Sequence, residues 1–279
     1  MHKVKDVRVR GVSELMTEVR QSYKKPLSER LIKDWHRILF VNNSFVNGGA
    51  YRLGVEPMLI VSGSYGKEIV HYEAPPSDTV DREMEQFVCW YSDFTTNPKD
   101  IRSSFIKTSI AHLYFESIHP FEDGNGRIGR AIAEKCLADS LGQPLVMSLS
   151  STIENKKADY YENLKKAQQT LELTEWIYYF SCVILESQRQ AKGDVMFVLK
   201  QAKFIDKFKL LLNERQTKVI LRMLECGADG FEEGMTAKKY SFITRSSKAT
   251  ATRDLQDLVE KQALVSVGLG RGAHYELTL

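Results

Sequence analysis

The sequence predicts a mainly α-helical protein in two parts, a helical domain that contains one β-hairpin and a smaller domain of three helices and two strands. Apolar residues recur at spacings of three and four along most of the chain, which is the period of an amphipathic helix. Two β-prone runs around a Gly-containing turn stand out in residues 48–76. At 279 residues, the chain is long enough for one larger domain and one appended module.

Composition and charge exclude several classes of protein. Hydrophobic residues make up 43% of the chain and charged residues 27%. These fractions are typical of globular proteins and not of disordered or fibrous ones. Its longest strongly apolar stretch, 176–185, is far shorter than the roughly 20 residues of a membrane-spanning helix. The first six residues are largely polar and do not resemble a signal peptide. We therefore expect a cytoplasmic protein with no membrane partner.

The four cysteines predict neither a disulfide framework nor a zinc site. They lie more than 40 residues apart, form no Cys-x-x-Cys pair, and have no His spaced to complete a zinc site. Each has apolar neighbours in the sequence, so we predict four small buried hydrophobic residues in a reducing compartment: Cys89, Cys136, Cys182 and Cys226.

The first domain begins with a helix and a hairpin. A helix is predicted at 27–39 from apolar residues at helical spacing, and Ser28 can start it. The β-prone runs 58–61 and 69–72 predict the hairpin. Pro75-Pro76 then imposes extended backbone before the next helix.

Helices dominate the rest of this domain. Apolar spacing predicts them from about Ser77, at 100–118, from Arg127 to about Leu141, at 153–169 and at 174–190. The polar segment 188–194 is surrounded by strong helix formers, which favours a helical connector over a flexible linker.

The segment 119–130, His-Pro-Phe-Glu-Asp-Gly-Asn-Gly-Arg-Ile-Gly-Arg, joins two of these helices. Gly124 and Gly126 bracket Asn125, a composition that permits positive φ and lets backbone N–H groups turn inward around an anion. The loop opens directly into a helix, whose first N–H groups lack partners and whose dipole favours an anion. Phosphate is the expected ligand.

The charged residues of the segment add further chemistry. Arg127 and Arg130 share one helix face and can grip a polyphosphate with bidentate donors. Asp123 is suited to hold Mg²⁺, which binds few carboxylates and completes its shell with phosphate oxygens and water. His119 titrates near neutral pH and can take a proton from an attacking hydroxyl. Phe121 is expected to point into the core and fix the loop.

The combination is far more specific than its parts. Taken singly, a lone His is more often structural than catalytic, and Gly-Asn-Gly is more often only a turn. Together the residues form the pattern His-x-Phe-x-Asp-Gly-Asn-Gly-Arg-x-x-Arg. At about one in twenty per position, its eight fixed positions would arise by chance in such a chain with a probability of about 10⁻⁸.

Through this motif the chain resembles the Fic domain family, in particular bacterial Fic proteins. All eight signature positions agree: His119, Phe121, Asp123, Gly124, Asn125, Gly126, Arg127 and Arg130. The resemblance extends from about Leu27 to Cys182, and the hairpin looks like the family's flap. It implies a helical Fic core with Mg²⁺ and ATP as cofactor and co-substrate, and transfer of AMP to a Ser, Thr or Tyr hydroxyl of a target protein.

The resemblance also implies a role for each site residue. His119 would be the general base, Asp123 the metal ligand, and Gly124, Asn125 and Gly126 the anion hole, while Arg127 and Arg130 hold the phosphates. Tyr161 and Gln168 lie where some relatives contact adenine, although a core or surface role explains them equally well. The flap near 61–72 would align the target by pairing with it as an added strand.

Two alternatives to AMP transfer remain open. The motif recognises phosphates rather than a base, so a Fic-type transferase that uses UTP, CDP-choline, or ATP in reversed orientation as a kinase fits equally. A DNA-binding regulator in which the Fic fold senses a nucleotide is the alternative from another class.

Many relatives carry an inhibitory helix with the pattern Ser/Thr-x-x-x-Glu-Gly/Asn ahead of the catalytic core, and its Glu pairs with the second motif arginine. Residues 1–23 resemble the part that follows this helix, so we expect the chain to lack it and to be active without a releasing partner. The sequence 150–155 satisfies the pattern too. We interpret Glu154 instead as a first-turn carboxylate facing a helix dipole.

The C-terminal region resembles a winged helix. Asn213 and Gln216 can cap a first helix, Thr236 starts a second, and a third spans 247–262. Two strands, 264–267 and 273–277, flank a Gly-rich turn. We assign residues 1–192 to the Fic domain (core about 27–182, flap about 51–74), 193–204 to a connector and 205–279 to the winged helix.

Basic residues of the second and third helices and of the wing suggest a partner. No acid lies between Thr236 and Arg253, a stretch with several basic residues, and another basic residue tips the wing: Lys238, Lys239, Arg245, Lys248, Arg253 and Arg271. DNA backbone contact would use such positions. A protein-docking or homodimerising module with a solvated basic face explains them equally well.

Overall fold

The computed structural model describes residues 7–41, 45–55, 58–62, 69–97, 100–227, 231, 234–268 and 273–279. The chain divides into two compact units, Met1–Gln188 and Arg189–Leu279. The predicted mainly helical fold with a β-hairpin is confirmed. Among the described residues, no helix has the length and apolar character of a membrane-spanning segment.

The first unit contains seven helices and one hairpin in its described part, and an eighth helix continues into the second unit. In chain order they are α1 (Val7–Gln21), α2 (Glu29–Leu39), β1 (Leu59–Ser62), β2 (Ile69–Glu73), a 3₁₀ turn (Ser77–Thr79), α3 (Val80–Asp93), α4 (Ile101–Ile118), α5 (Asn125–Leu141), α6 (Leu149–Asn155), α7 (Lys157–Ala167) and α8 (Thr174–Phe208).

Local caps start several helices where the sequence predicts. Ser28 Oγ accepts from the Leu31 N–H at 3.2 Å, and Asp100 Oδ1 accepts from the Arg102 N–H at 3.2 Å. The hairpin is also confirmed, with Leu59 opposite Glu73 and Ser62 opposite Ile69 in antiparallel register. The part of the predicted flap turn at 63–68 lies outside the described residues.

Other predictions are wrong in detail. The helix predicted at 153–169 is two helices, because Ser148 starts α6 at Leu149 and Lys156 leaves the helical conformation at φ −134°. The helix predicted at 174–190 extends to Phe208, and α1 is not predicted at all. The predicted helical connector at 188–194 is confirmed, because these residues continue α8 without a break. Only Cys136 is buried, because Cys89 and Cys182 lie on exposed helix faces and Cys226 lies in the exposed turn after α9.

The core of the first unit lies around α4 and α5, which make the most extensive contact of any pair of described elements. Trp35, Phe87, Phe115 and Phe121 are fully buried there. The Trp176 indole N–H of α8 donates to the Ser109 carbonyl of α4 at 2.8 Å. The loop between α4 and α5 is therefore anchored at both ends in a rigid core.

The second unit contains α9 (Glu214–Leu224), α10 (Ala237–Thr244), α11 (Lys248–Glu260) and an antiparallel pair, β3 (Leu264–Val267) and β4 (His274–Leu277). Asn213 and Gln216 form the predicted capping box. Met235 forms a bridge to Tyr275 beside the hairpin. The predicted wing tip, including Arg271, lies outside the described residues, and the winged-helix assignment stays a prediction.

Candidate active site

His119 ends α4 in a left-handed conformation. Its φ is 51° and its ψ 58°, a region uncommon for residues other than glycine. Its N–H donates to the Phe115 carbonyl at 3.0 Å, which closes the last turn of the helix. This turn redirects the chain into the loop, so the side chain of His119 depends on how the backbone there is held.

A buried arginine holds that backbone. Arg52 Nε donates to the His119 carbonyl at 2.8 Å, and the Arg52 N–H donates to the Pro120 carbonyl at 2.8 Å. Its guanidinium also donates to the Pro75 carbonyl at 2.5 Å and to Ser77 Oγ at 2.8 Å. Arg52 is not among the residues predicted from the motif, because a single Arg ahead of a hairpin gives no signal in the sequence.

Asn125 closes the loop with its side chain. Its Nδ2 donates to the Phe121 carbonyl at 2.6 Å, and the Phe121 N–H donates to its Oδ1 at 2.9 Å. Gly124 starts α5 at φ 86°, and a Cβ there would lie 2.7 Å from the ring of Phe40. No described residue accepts from the backbone N–H groups of Asn125 or Gly126. These two groups are therefore available to an anion.

His36 packs against the loop. Its ring stacks on Phe121 with centroids 3.9 Å apart, and Phe121 is buried as predicted. Nδ1 of His36 accepts from the Gly49 N–H at 2.8 Å, so Nε2 carries the proton and donates to the Asp123 carbonyl at 3.0 Å. Burial lowers the pKa of His36, which favours this neutral form.

Asp123 and Arg127 pair at the outer side of the loop. Arg127 Nη2 lies 3.1 Å from Asp123 Oδ1, and the Asp123 side chain is 59% exposed. Among the described residues, no group of three His, Cys, Asp or Glu side chains could form an all-protein metal site. One exposed carboxylate beside a helix N-terminus is compatible with Mg²⁺, which binds few carboxylates and takes its other ligands from phosphate and water.

A cavity of about 80 Å³ brings five of the predicted site residues together: His119, Gly126, Arg130, Tyr161 and Gln168. Ile60 and Tyr72 of the hairpin line the same cavity. Asp123, Gly124, Asn125 and Arg127 do not line it. The predicted site residues therefore fall into two groups: those that line the cavity, and those outside it, which include the Asp123–Arg127 pair.

Comparison with known proteins identifies the domain. Residues 26–137 match the model of the Fic/DOC family, and this range contains the whole loop. Residues 26–137 form a Fic/DOC family domain. Fic domains are commonly nucleotidyl transferases.

Solved structures share the Fic fold. A Fic family protein from Desulfovibrio desulfuricans G20 is 18% identical with a TM-score of 0.52, over 99% of this chain and 77% of that chain. Fic-1 (residues 134–508) from C. elegans is 21% identical with a TM-score of 0.51, over 70% of this chain and 55% of that chain. At these identities the likeness shows the fold alone.

Burial sets the charge of His119 in the Fic domain. Its side chain is 15% exposed. Burial lowers the pKa of His119 to about 4, against the raising effect of the Glu116 backbone carbonyl; the charge of Arg52 lowers this pKa further, and Asp123 raises it. The imidazole is therefore neutral at pH 7 and able to accept a proton.

Glu116 is a second buried group in this cavity, and it is not among the predicted residues. Burial raises the pKa of Glu116 to about 7, against the opposing charge of Arg130. The sequence does contain a signal for Glu116. It is an acidic residue in the last turn of a helix that is buried around most of its circumference.

Arg130 contacts α6 rather than an acid. Its Nε donates to Ser150 Oγ at 2.8 Å. Glu154 pairs instead with Lys157 at 3.5 Å and is 71% exposed. Its interpretation as a first-turn carboxylate is wrong, because α6 begins at Leu149 and Glu154 lies near the end of that helix.

Proposed function

We propose that the Fic domain transfers AMP from Mg²⁺-bound ATP to a Ser, Thr or Tyr hydroxyl of a target protein. The observation that carries the proposal is the cavity shared by the neutral His119 imidazole, Gly126 at the start of α5, and Arg130. A base, two unpaired N–H groups and a guanidinium at one helix start suit phosphoryl chemistry.

In this proposal the phosphates bind at the N-terminus of α5. The N–H groups of Asn125 and Gly126 and the guanidinium of Arg130 would bind phosphate oxygens. Asp123 would hold Mg²⁺, which supplies positive charge to the phosphates when bound. Arg127 pairs with Asp123 in the structure, so it would stay close to both the carboxylate and the phosphates.

His119 would then act on the target hydroxyl. The imidazole takes the hydroxyl proton as the target oxygen bonds to the α-phosphorus and the bond to the leaving pyrophosphate breaks. Deprotonation in the transition state requires an unprotonated ring nitrogen, which the low pKa of His119 provides at neutral pH.

The hairpin and α7 would supply specificity. A two-stranded sheet leaves an unpaired edge, to which an extended target segment can add as a strand. Tyr161 and Gln168 line the cavity from the α7 side and are the candidates for contact with the adenine. ATP and protein substrates also suit the cytoplasmic location expected from the sequence.

The donor is tested by labelling. The purified chain is incubated with a cell lysate and one labelled donor at a time: ATP or UTP labelled on the α-phosphate, CDP-choline labelled in its choline group, or ATP labelled on the γ-phosphate. Label from α-labelled ATP on a protein hydroxyl supports AMP transfer. Label from another nucleotide, or from the γ-phosphate, supports the alternative donor or a kinase.

A specific observation favours DNA as a second ligand, bound by the C-terminal unit. Two of the three acids of α11 are engaged by protein: Asp254 pairs with Arg215 at 2.8 Å, and Asp257 accepts from Gln216 Nε2 at 2.6 Å, while the exposed third acid, Glu260, lies at the C-terminal end of the helix, away from Lys248 at its start. The exposed residues of α11 include Lys248 and Arg253. This face therefore carries positive charge, as phosphate-backbone contact requires.

Salt-dependent binding to duplex DNA tests this second function. Lys248→Glu and Arg253→Glu should each weaken binding and reduce its salt dependence. Lys209→Glu, an exposed lysine that pairs with Asp206, is the control. Absence of salt-sensitive binding to any duplex would favour the protein-docking or homodimer alternative.

A further inference from the structure

Two residues that line the cavity, Glu116 and His119, each carry a buried polar atom without a hydrogen-bond partner. Within the described part of the chain, neither His119 Nδ1 nor Glu116 Oε1 has a partner in hydrogen-bond geometry, although the Glu116 backbone carbonyl lies close enough to the His119 ring to raise its pKa. The other carboxyl oxygen, Glu116 Oε2, lies 4.0 Å from His119 Nδ1. The Glu116 side chain is 6% exposed. Buried polar atoms are nearly always paired, so two neighbouring exceptions call for an explanation.

The fold places this carboxyl group there. Glu116 and His119 are three residues apart, which puts both on one side at the end of α4. The facing helix α5 leaves space for the carboxyl group, because a Cβ at Gly129 would lie 2.3 Å from Glu116 Oε1. Any larger residue at position 129 would displace Glu116.

The carboxyl group also faces the phosphate side of the cavity. A Cβ at Gly126 would lie 3.9 Å from Glu116 Oε1 and 3.2 Å from Arg130 Nη1. Gly126 thus opens onto the space between the carboxyl group and the guanidinium. Within the described residues, the Glu116 carboxyl group makes its ion-pair contact with His119, at 4.0 Å, and with no other side chain.

We propose that Glu116 is a positioning residue that orients His119 for the proposed AMP transfer. Its carboxylate accepts a hydrogen bond from Nδ1–H of His119, which fixes the tautomer with an unprotonated Nε2 toward the target hydroxyl. The 4.0 Å separation shortens to hydrogen-bond length when substrate binds. The proton that Nε2 takes from the hydroxyl forms an imidazolium, which Glu116 stabilises until the proton leaves to solvent.

Long-range ¹H–¹⁵N spectra of the histidine rings test this role without requiring activity. The His119 resonance is assigned as the one that disappears in His119→Ala. Glu116→Met removes the acceptor at similar length, Glu116→Gln keeps an acceptor oxygen, and Glu116→Ala replaces the Met variant if that variant does not fold. Glu134→Met is the matched control, because Glu134 is also a buried acid but bonds to the Leu149 N–H at 3.2 Å.

The expected result is a shift of His119 toward the Nε2–H tautomer in Glu116→Met and no shift in Glu116→Gln or Glu134→Met. Turnover of AMP transfer should fall about 100-fold in Glu116→Met, with KM for ATP changed less than about threefold. Glu116→Gln should restore most of the turnover.

An unchanged His119 tautomer in folded Glu116→Met would overturn the proposal. The same shift in Glu134→Met would also overturn it. If the chain transfers no nucleotide at all, the proposed function fails, but the tautomer result still decides whether Glu116 orients His119.

Discussion

Arg52 Nε donates a 2.8 Å hydrogen bond to the carbonyl of His119, whose backbone adopts a left-handed conformation. Arg52 is 3% exposed and donates to three further acceptors, the carbonyl of Ile118 at the end of α4 and, after the hairpin, the Pro75 carbonyl and Ser77 Oγ. One side chain therefore joins the segment after the hairpin to the backbone of the proposed base.

Replacing Arg52 should destabilise the fold and the site together. Arg52→Met leaves several buried carbonyl groups without donors, so the free energy of unfolding should fall by about 3 kcal/mol in urea titrations. The matched control is Arg30→Met, since Arg30 is 92% exposed. Its unfolding free energy should change by less than about 0.5 kcal/mol. Equal stability of the two variants would contradict the role assigned to Arg52.

Gly124 is expected to tolerate no side chain. Gly124→Ala combines a φ of 86° with a Cβ 2.7 Å from the Phe40 ring, so it should lower unfolding free energy by about 3 kcal/mol. Gly142→Ala, with φ 68° and open space around the Cβ, isolates the backbone strain. It should lower that free energy by only about 1 kcal/mol. Similar losses in both variants would exclude the contact with Phe40 as a cause.

Gly129 should be required because Glu116 fills the space beside it. Gly129→Ala places a Cβ 2.3 Å from Glu116 Oε1, so turnover should fall about tenfold or more as the carboxyl group moves. Gly193→Ala lies in α8 with open space around the Cβ, and it should stabilise the helix by about 1 kcal/mol without loss of turnover. Wild-type turnover in Gly129→Ala would show that the position of Glu116 is unimportant.

The pH dependence of kcat/KM should follow the ionisation of Glu116 rather than that of His119. A general base must be unprotonated, and a His119 pKa of about 4 keeps it so across the neutral range. Glu116 faces Arg130 of α5 and Tyr160 of α7, and burial raises its pKa to about 7. Because its carboxylate is the positioning form, kcat/KM should rise with pH through about 7 in the wild type and become flatter in Glu116→Gln.

The control for this profile is the same measurement on Glu134→Gln. This variant replaces a buried acid that is not next to His119. That variant should retain the wild-type rise. An inflection near neutral pH that persists unchanged in Glu116→Gln would show that Glu116 is not the titrating group.

Features with local causes are predictable from this sequence. Ser28, Asp100 and Asn213 cap helices through their own side chains, and the hairpin follows from two β-prone runs. The motif also predicts which residues of the loop matter, although the structure divides them between the cavity and the outer Asp123–Arg127 pair.

Features that depend on distant contacts are not predictable in this way. Arg52 acts on residues about 67 positions away, and Glu116 gains its environment from Gly129 on the facing helix. The exposure of Cys89 depends on which face of α3 packs inward, which apolar neighbours in the sequence do not determine. Tertiary packing decides these properties.

The most direct test of the account is the mass of the target protein after incubation with ATP, Mg²⁺ and either the wild-type chain or His119→Ala. The wild type should add the mass of one adenylyl group to a hydroxyl-bearing residue. Folded His119→Ala, with unchanged affinity for ATP, should add that mass at least about 100-fold more slowly. Equal rates of addition by the two proteins would contradict the central claim that His119 is the base for AMP transfer.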